Sequence, residues 1–306
     1  MIPIRLAALF PPTAIQVNLY LVRHGRRQLY CRPDSPPSRS DLLTLQRSGI
    51  LSLYTTAEEA SVLHGQFEDM LATKASMPPE VHFAIAREVA KAGFSKAWKS
   101  PGTESMLRES AGLADAILDA CDNQRESAAF VRSLLLHDGD TFTHVTNVSV
   151  YAVILLKRLG ISDKSHLTAL AQGALLHDLG KRLIHQDLLK KPGRLSSTER
   201  ELLMNHPRWG FEEVCANPNL DKDQLLMIYH HHEKPDGSGY PVGLRDREIH
   251  WTARICAIVD VFDALTAQRP YRRPLSIEQA ITHQSSQSAS QFDPEYLDCW
   301  IKTIRN

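Results

Sequence analysis

The stretch from His230 to Pro241 reads His-His-His-Glu-Lys-Pro-Asp-Gly-Ser-Gly-Tyr-Pro, three adjacent imidazoles ahead of a glycine-rich turn. Inside a helix one of three neighbouring histidines always faces away from the others, and histidine is only a middling helix former. Some of the three are therefore expected to serve chemistry. Other imidazoles and carboxylates stand where helix faces can converge: His144, His177-Asp178, His206 and Asp260. His177-Asp178 follows the apolar Ala174-Leu175-Leu176, and Lys181 stands one turn on from His177. Asp140 precedes His144 by one turn on the same face. Asp260 interrupts the apolar run Ile255-Cys256-Ala257-Ile258-Val259, where a carboxylate is costly unless it is paired or bound to metal. Asp263, one turn later, reads either as its supporting partner or as an exposed charge.

A lone His-Asp pair would look the same in a buried histidine satisfied by its neighbour, and only the whole set of imidazoles and carboxylates points to metal. Imidazole and carboxylate without thiolate suit borderline to hard ions such as iron, manganese or zinc, and disfavour a structural zinc finger. The candidates exceed what one ion needs. Two ions ~3.5–4 Å apart would polarise a phosphoryl oxygen and acidify a bridging water, so the implied reaction is hydrolysis of a phosphate ester.

These residues require a helical scaffold, and the second half of the chain supplies the pattern for one. Helices are expected over 141–159, closing on Gly160, and over 165–179, closing on Gly180. Ser196 with Glu199 forms a capping-box start for a helix carrying Leu202, Leu203 and His206. Further helices are expected over 221–230, 252–267, 276–285 and 294–304, with no alternating strand pattern among them, which predicts an all-α bundle.

The first half differs. Residues 17–22 and 28–31 read as a β-hairpin, a helix capped by Ser40 or Asp41 runs to Arg47 before Gly49, and 50–55 reads as a third strand. From 57 to 136 the pattern is helical, with segments at 81–92 and 106–136 separated by Pro101-Gly102. The fold class is mainly α. A small α/β and then helical N-terminal domain (1–120) with a long connecting helix precedes a helical bundle (121–306). Nothing in the N-terminal part reads as catalytic, and a sensory, docking or dimerisation role is expected for it.

The 306 residues are 43% hydrophobic and 7% aromatic, an ordinary globular balance. Lys plus Arg (35) equals Asp plus Glu (35), so no overall field favours nucleic acid or an anionic membrane as partner. The apolar run within residues 1–12 is too short and wrongly flanked for a signal peptide, and no stretch is long enough to span a bilayer. Five scattered cysteines without a Cys-x-x-Cys pair argue for reduced thiols and a cytoplasmic location.

The order and spacing of the motifs identify a resemblance. His144, His177-Asp178, Gly180-Lys181, His206, His231-His232-Glu233 and Asp236-Gly237-x-Gly239-Tyr240-Pro241 are followed by Asp260-x-Phe262-Asp263-Ala264-Leu265-Thr266-x-x-Arg269-Pro270-Tyr271-Arg272. Together they resemble the HD-GYP subgroup of the HD superfamily of metal-dependent phosphohydrolases, over about 138–300. The resemblance implies an HD-type bundle in a bacterial phosphodiesterase that opens cyclic di-GMP to pGpG, and on to GMP in some members, by attack of a metal-bridging hydroxide. It implies two divalent ions, or three, most often iron or manganese. The implied ligands are His144, His177, Asp178 as the bridge, His206, His231, His232 and Asp260, with His231 and His232 on different metals. Asp140 would add a third-metal ligand where members usually have glutamate. Lys181, Tyr240, Arg269 and Arg272, aided by Asp138, would hold the substrate, and Asp178 and Lys181 would be catalytic. Gly237 and Gly239 would let the loop turn tightly enough to aim Tyr240 inward. His230 falls outside the ligand pair. Three alternatives stay open: a cyclic di-GMP receptor with little turnover, a hydrolase of another cyclic dinucleotide, and a homodimer or signalling partner served by the N-terminal part.

Overall fold

A computed structural model describes residues 1–9, 15–23, 25–73, 77–100, 102–122, 141–267 and 273–305. By packing, the chain divides into two compact units, Met1–Gly93 and Phe94–Asn306. The division falls inside a helix, ahead of the 120/121 boundary read from the sequence.

The first unit holds a four-stranded antiparallel sheet of β1 (Ile2–Arg5), β2 (Leu19–Arg23), β3 (Arg26–Cys31) and β4 (Ser52–Thr55), in the order β1-β4-β2-β3. Strand β1 is an addition to the expected hairpin and third strand. It is four residues long, contains Pro3 and lies at a sheet edge, where a proline is tolerated. Helix α1 (Arg39–Arg47) is capped by Ser38 rather than Ser40 or Asp41; Asp41 instead returns the bond, its carboxylate accepting the Ser38 N–H at 2.9 Å. Helix α2 (Ala57–Ala72) starts at Thr56, and α3 (Pro79–Trp98) runs across the division between the units. Leu19, Leu42, Leu53, Leu63, Phe67 and Ile85 are buried together and form this unit's core.

The regular elements of the second unit are, among the described residues, all helical. Helix α4 (Glu104–Asp122) covers the described part of the long segment expected over 106–136; residues 123–136 lie outside the described residues. It packs on α5 (Thr141–Arg158) and α6 (Lys164–Leu176), which is why this stretch belongs with the bundle by packing. A 3₁₀ turn (Leu179–Leu183) and a single helical turn (Gln186–Leu189) lead to α7 (Ser197–Met204) and α8 (His206–Val214). The expected single helix from Ser196 through His206 is thus two, broken at Asn205, with Pro207 in the first turn of the second, where its missing N–H costs nothing. Then come α9 (Lys222–His230), α10 (Trp251–Thr266), α11 (Ile277–Ser286) and α12 (Pro294–Arg305).

Local chemistry sets these starts. Ser196 with Glu199, Asp221 with Gln224 and Ser276 with Gln279 each form a reciprocal capping box. Helix α5 is buried nearly all round, and α10 packs against it and against α9, so the bundle is centred on these two. Tyr151, Phe262 and Trp300 pack edge to face or tilted within 5.7 Å of one another and are fully buried between α5, α10 and α12. Among the described residues no helix is long and apolar enough to cross a membrane. All five cysteines are free.

Candidate metal centre and substrate loop

The ends of four helices deliver imidazoles to one point. His144 lies in the first turn of α5, His177 caps the C-terminus of α6, His206 opens α8, and His231 caps the C-terminus of α9 with His232 next to it. Asp260 projects from the middle of α10. The expected α6 helix through Leu179 stops at Leu176 instead, so His177 and Asp178 stand at its end, where the backbone turns. That turn depends on Gly180: a Cβ there would lie 2.0 Å from the His206 carbonyl oxygen and 2.6 Å from the Gly210 nitrogen. Only a glycine lets the His177-Asp178 turn press directly on the helix that carries His206.

Seven side chains form two groups. Asp178, His206, His231 and His232 offer ligand atoms within 4.8 Å of one another, and so do His144, His177 and Asp260. Asp178 faces both. Its Oδ2 is 3.6 Å from His144 Nε2 and 3.5 Å from His177 Nε2, while Oδ1 is 3.2 Å from His206 Nε2 and 3.9 Å from His231 Nε2. His144 Nε2 is also 3.1 Å from Asp260 Oδ1. His231 and His232 fall in the same group, which differs from the expected split between two metals; their rings are adjacent, 4.2 Å between centroids.

The second ring nitrogens fix the tautomers. His177, His206 and His231 each place Nδ1 against the carbonyl three residues earlier, on Ala174 (2.7 Å), Leu203 (2.7 Å) and Ile228 (2.9 Å). A carbonyl only accepts, so Nδ1 carries the hydrogen and Nε2 presents a lone pair to the centre. His144 Nδ1 lies 2.8 Å from Asp263 Oδ2, and Asp263 Oδ1 accepts from Asn147 Nδ2 at 2.9 Å. The ambiguity over Asp263 is thereby resolved: it is fully buried and supports His144. Asn147, one turn beyond His144, was not singled out from the sequence, although its i+3 spacing is a legible signal.

This arrangement leaves unmet needs that a cation fits. His206 Nε2 and His231 Nε2 face each other at 3.2 Å with both Nδ1–H groups already committed, and His177 Nε2 is buried without a hydrogen-bond partner. Asp178 Oδ1 is buried and likewise lacks a partner in hydrogen-bond geometry. Orphaned buried polar atoms of this kind are rare unless something charged is held there. Burial opposes ionisation of Asp178, but Lys181, His177 and His206 outweigh it and hold the carboxyl well below its usual range. Burial keeps His231 and His232 neutral, the latter lowered to about 3, as metal ligation requires. Burial also disfavours a charged His144, yet the flanking Asp260 and Asp263 raise it to about 10. The negative charge that Asp260 and Asp263 bring to that ring suits a site for a cation. The HD domain implies divalent metal binding, and the donor set of imidazole and carboxylate suits it.

On the rim, Tyr240 tilts over His232 with 4.7 Å between ring centroids, and burial raises its hydroxyl above the ordinary tyrosine range. Lys181 reaches inward, with Nζ 2.6 Å from Asp178 Oδ2. Gly237 takes a positive φ of 79°, and a Cβ on Gly239 would lie 2.4 Å from the Lys234 nitrogen, so the loop folds back as tightly as its glycines suggest. Glu233, inside the motif but given no role from the sequence, is buried, and its carboxylate accepts from the backbone N–H groups of Val242, Gly243 and Leu244. His230 joins neither group; it is buried 5.0 Å from the Tyr229 ring, and burial lowers its pKa to about 4. His166 and His250 share Asp223, at 2.9 and 3.4 Å, apart from these groups. Asp138, Asp140, Arg269 and Arg272 lie outside the described residues.

Comparisons with known proteins agree with this geometry. The chain matches the HD domain family over residues 129–296. It is 32% identical over 206 residues to the cyclic di-GMP phosphodiesterase response regulator RpfG of Xanthomonas campestris pv. campestris, covering 65% of this chain and 54% of that one. It is 29% identical over 285 residues to the cyclic di-GMP phosphodiesterase PA4108 of Pseudomonas aeruginosa, covering 87% of this chain and 68% of that one. The chain thus spans about half the length of the first relative and about two thirds of the second. In fold it is similar to Bd1817, a HDG"Y"P protein from Bdellovibrio bacteriovorus, with a TM-score of 0.70 at 18% identity over 100% of this chain and 99% of that one. With the motif histidines and aspartates gathered at one centre and the family matched over more than half its length, the chain belongs to the HD domain family of metal-dependent phosphohydrolases.

Proposed function

We propose that the chain is a metal-dependent phosphodiesterase that hydrolyses cyclic di-GMP to pGpG. The observation that carries this reading is Asp178, whose two oxygens face two separate histidine groups. One ion would be held by His206, His231, His232 and Asp178, the other by His144, His177, Asp260 and Asp178, with iron or manganese the ions that the family resemblance implies and the donor set accepts. Divalent ions in such a pair supply Lewis acidity to a phosphoryl oxygen and lower the pKa of water toward neutrality. A third ion would need Asp140.

The chain's own residues account for the rest. The Nδ1–H bonds to backbone carbonyls keep His177, His206 and His231 oriented before any ligand arrives, and Asp263 does the same for His144. Lys181 brings a positive charge to the side of Asp178, from which it can turn to a scissile phosphate. Tyr240 offers a ring face and a hydroxyl at the rim, suited to a base or a phosphate oxygen. Arg269 and Arg272, with Asp138, complete the substrate contacts in this reading. The two relatives named as cyclic di-GMP phosphodiesterases support the choice of substrate. The N-terminal unit is assigned a docking, sensing or dimerisation role, since none of the candidate ligands comes from it.

The test is a turnover assay with cyclic di-GMP and manganese or iron(II), with separation of pGpG and GMP. Product formation is expected. Tight binding without product under every metal would make the chain a receptor, and preference for another cyclic dinucleotide in competition would reassign the substrate.

A further inference from the structure

We infer that Glu233 is a positioning residue that sets the reach of Tyr240 over the metal centre. The inference rests on the proposed substrate reading and goes beyond it by assigning a buried carboxylate that neither ligates nor touches the substrate.

Glu233 directly follows His232 and is 2% exposed. Its Oε1 accepts from the Val242 N–H at 2.6 Å, both oxygens accept from Gly243 (3.1 and 3.0 Å), and Oε2 accepts from Leu244 at 2.9 Å. Among the described residues these three N–H groups have no other acceptor. A buried carboxylate satisfied by three backbone donors is a strong, charge-assisted clamp. On the near side, the Tyr240 N–H donates to the His232 carbonyl at 3.2 Å, and Gly239 lies so close to Lys234 that no side chain fits between them. Tyr240 is therefore held from both directions, by the ligand residue His232 behind it and by the Glu233 carboxylate two to four residues ahead. Other ties, from Asp236 to Ser290, from Gly237 to Lys234 and from Asp246 to Pro235, fasten the base of the loop and leave 242–244 to Glu233. The consequence is a fixed coupling. The backbone that sets the His232 ring also sets the tyrosine tilted over it, so the position of Tyr240 is tied to the metal centre.

Tyr240 is distant in function from the hydrolysis of a small diester, which needs only the centre. Loss of the clamp should therefore penalise the large substrate more than the small one. The experiment compares the wild-type chain with Glu233→Gln, both loaded with manganese, on cyclic di-GMP and on bis(p-nitrophenyl) phosphate. It also follows amide hydrogen exchange over 242–244 and metal content. In Glu233→Gln, KM for cyclic di-GMP is expected to rise about tenfold or more, the fold-change that follows from losing one hydrogen bond to a charged group. The ratio of kcat/KM for cyclic di-GMP over the small diester should fall by a similar factor, metal content should hold, and exchange at 242–244 should quicken. Equal losses on both diesters, no loss on either, or unchanged exchange would overturn the inference. If Glu233→Gln does not fold, Val242→Pro, at an exposed position, deletes one donor and must shift the same ratio in the same direction; no shift would refute the clamp. Should the wild-type chain not turn over cyclic di-GMP at all, the substrate reading falls by itself, and the exchange measurement still decides the clamp.

Discussion

Replacing Asp263 with asparagine tests how the second group is held together. Asp263 is wholly buried and serves two donors, His144 Nδ1 at 2.8 Å and Asn147 Nδ2 at 2.9 Å. Asparagine keeps the shape but has one acceptor oxygen, so whichever way its amide turns, an NH₂ group meets a donor. One charge-assisted bond is lost and one buried donor is left unsatisfied, at about 1.5–3 kcal/mol. Removing an outer-shell partner of a metal-ligating histidine typically costs 10–100-fold in metal affinity, which is about 1.4–2.7 kcal/mol. The two routes overlap, so Asp263→Asn is expected to bind manganese about 10–100-fold more weakly, with the helical fold intact because the volume is unchanged. Calorimetric titration of metal-stripped protein measures the affinity, and circular dichroism checks the fold. Wild-type affinity in a folded Asp263→Asn would show that His144 needs no carboxylate behind it, and the reasoning from the Nδ1 contacts would fail.

Two further outcomes follow from the same geometry. Asp178→Ala removes a carboxylate that faces both groups, so turnover of cyclic di-GMP should disappear and bound metal should fall, as read by product chromatography and elemental analysis; retained activity would remove Asp178 from its assigned role. Gly180→Ala places a methyl group 2.0 Å from the His206 carbonyl oxygen, so the backbone must shift, at a cost of about 1–3 kcal/mol. Calorimetric unfolding should show a Tm lower by about 2–4 °C per kcal/mol, and an unchanged Tm would mean the close contact is not structural.

The site was more legible in the sequence than the elements that carry it. His144, His177-Asp178, His206 and Asp260 stood out by residue type and position, the choice of His231 and His232 over His230 came from the family resemblance, and the structure gathers these seven side chains into two neighbouring groups. The capping box at Ser196 was legible as a helix start, and the helices expected from 221 and 276 prove to begin on boxes of the same kind. What stayed hidden depends on residues far apart in the chain. Asp263 could be read as a partner or as an exposed charge until α10 was laid against α5, 119 positions away. The Glu233 clamp requires the loop to fold back on its own first residues. The break at Asn205 and the early end of α6 go with a close approach of Gly180 to His206 and Gly210, which no helical periodicity encodes. Strand β1 was missed because its four residues blend into an apolar stretch and gain their identity only by pairing with β4.

The central claim is that a divalent-metal pair on these seven residues hydrolyses cyclic di-GMP. Its most direct test is to strip the protein of metal, add back manganese in steps, and record ions bound per chain against pGpG formed. The stripped protein is expected to be inactive, with activity that climbs with occupancy and levels off once both groups are filled. Turnover that survives complete metal removal, or filled sites that yield no pGpG, would contradict it.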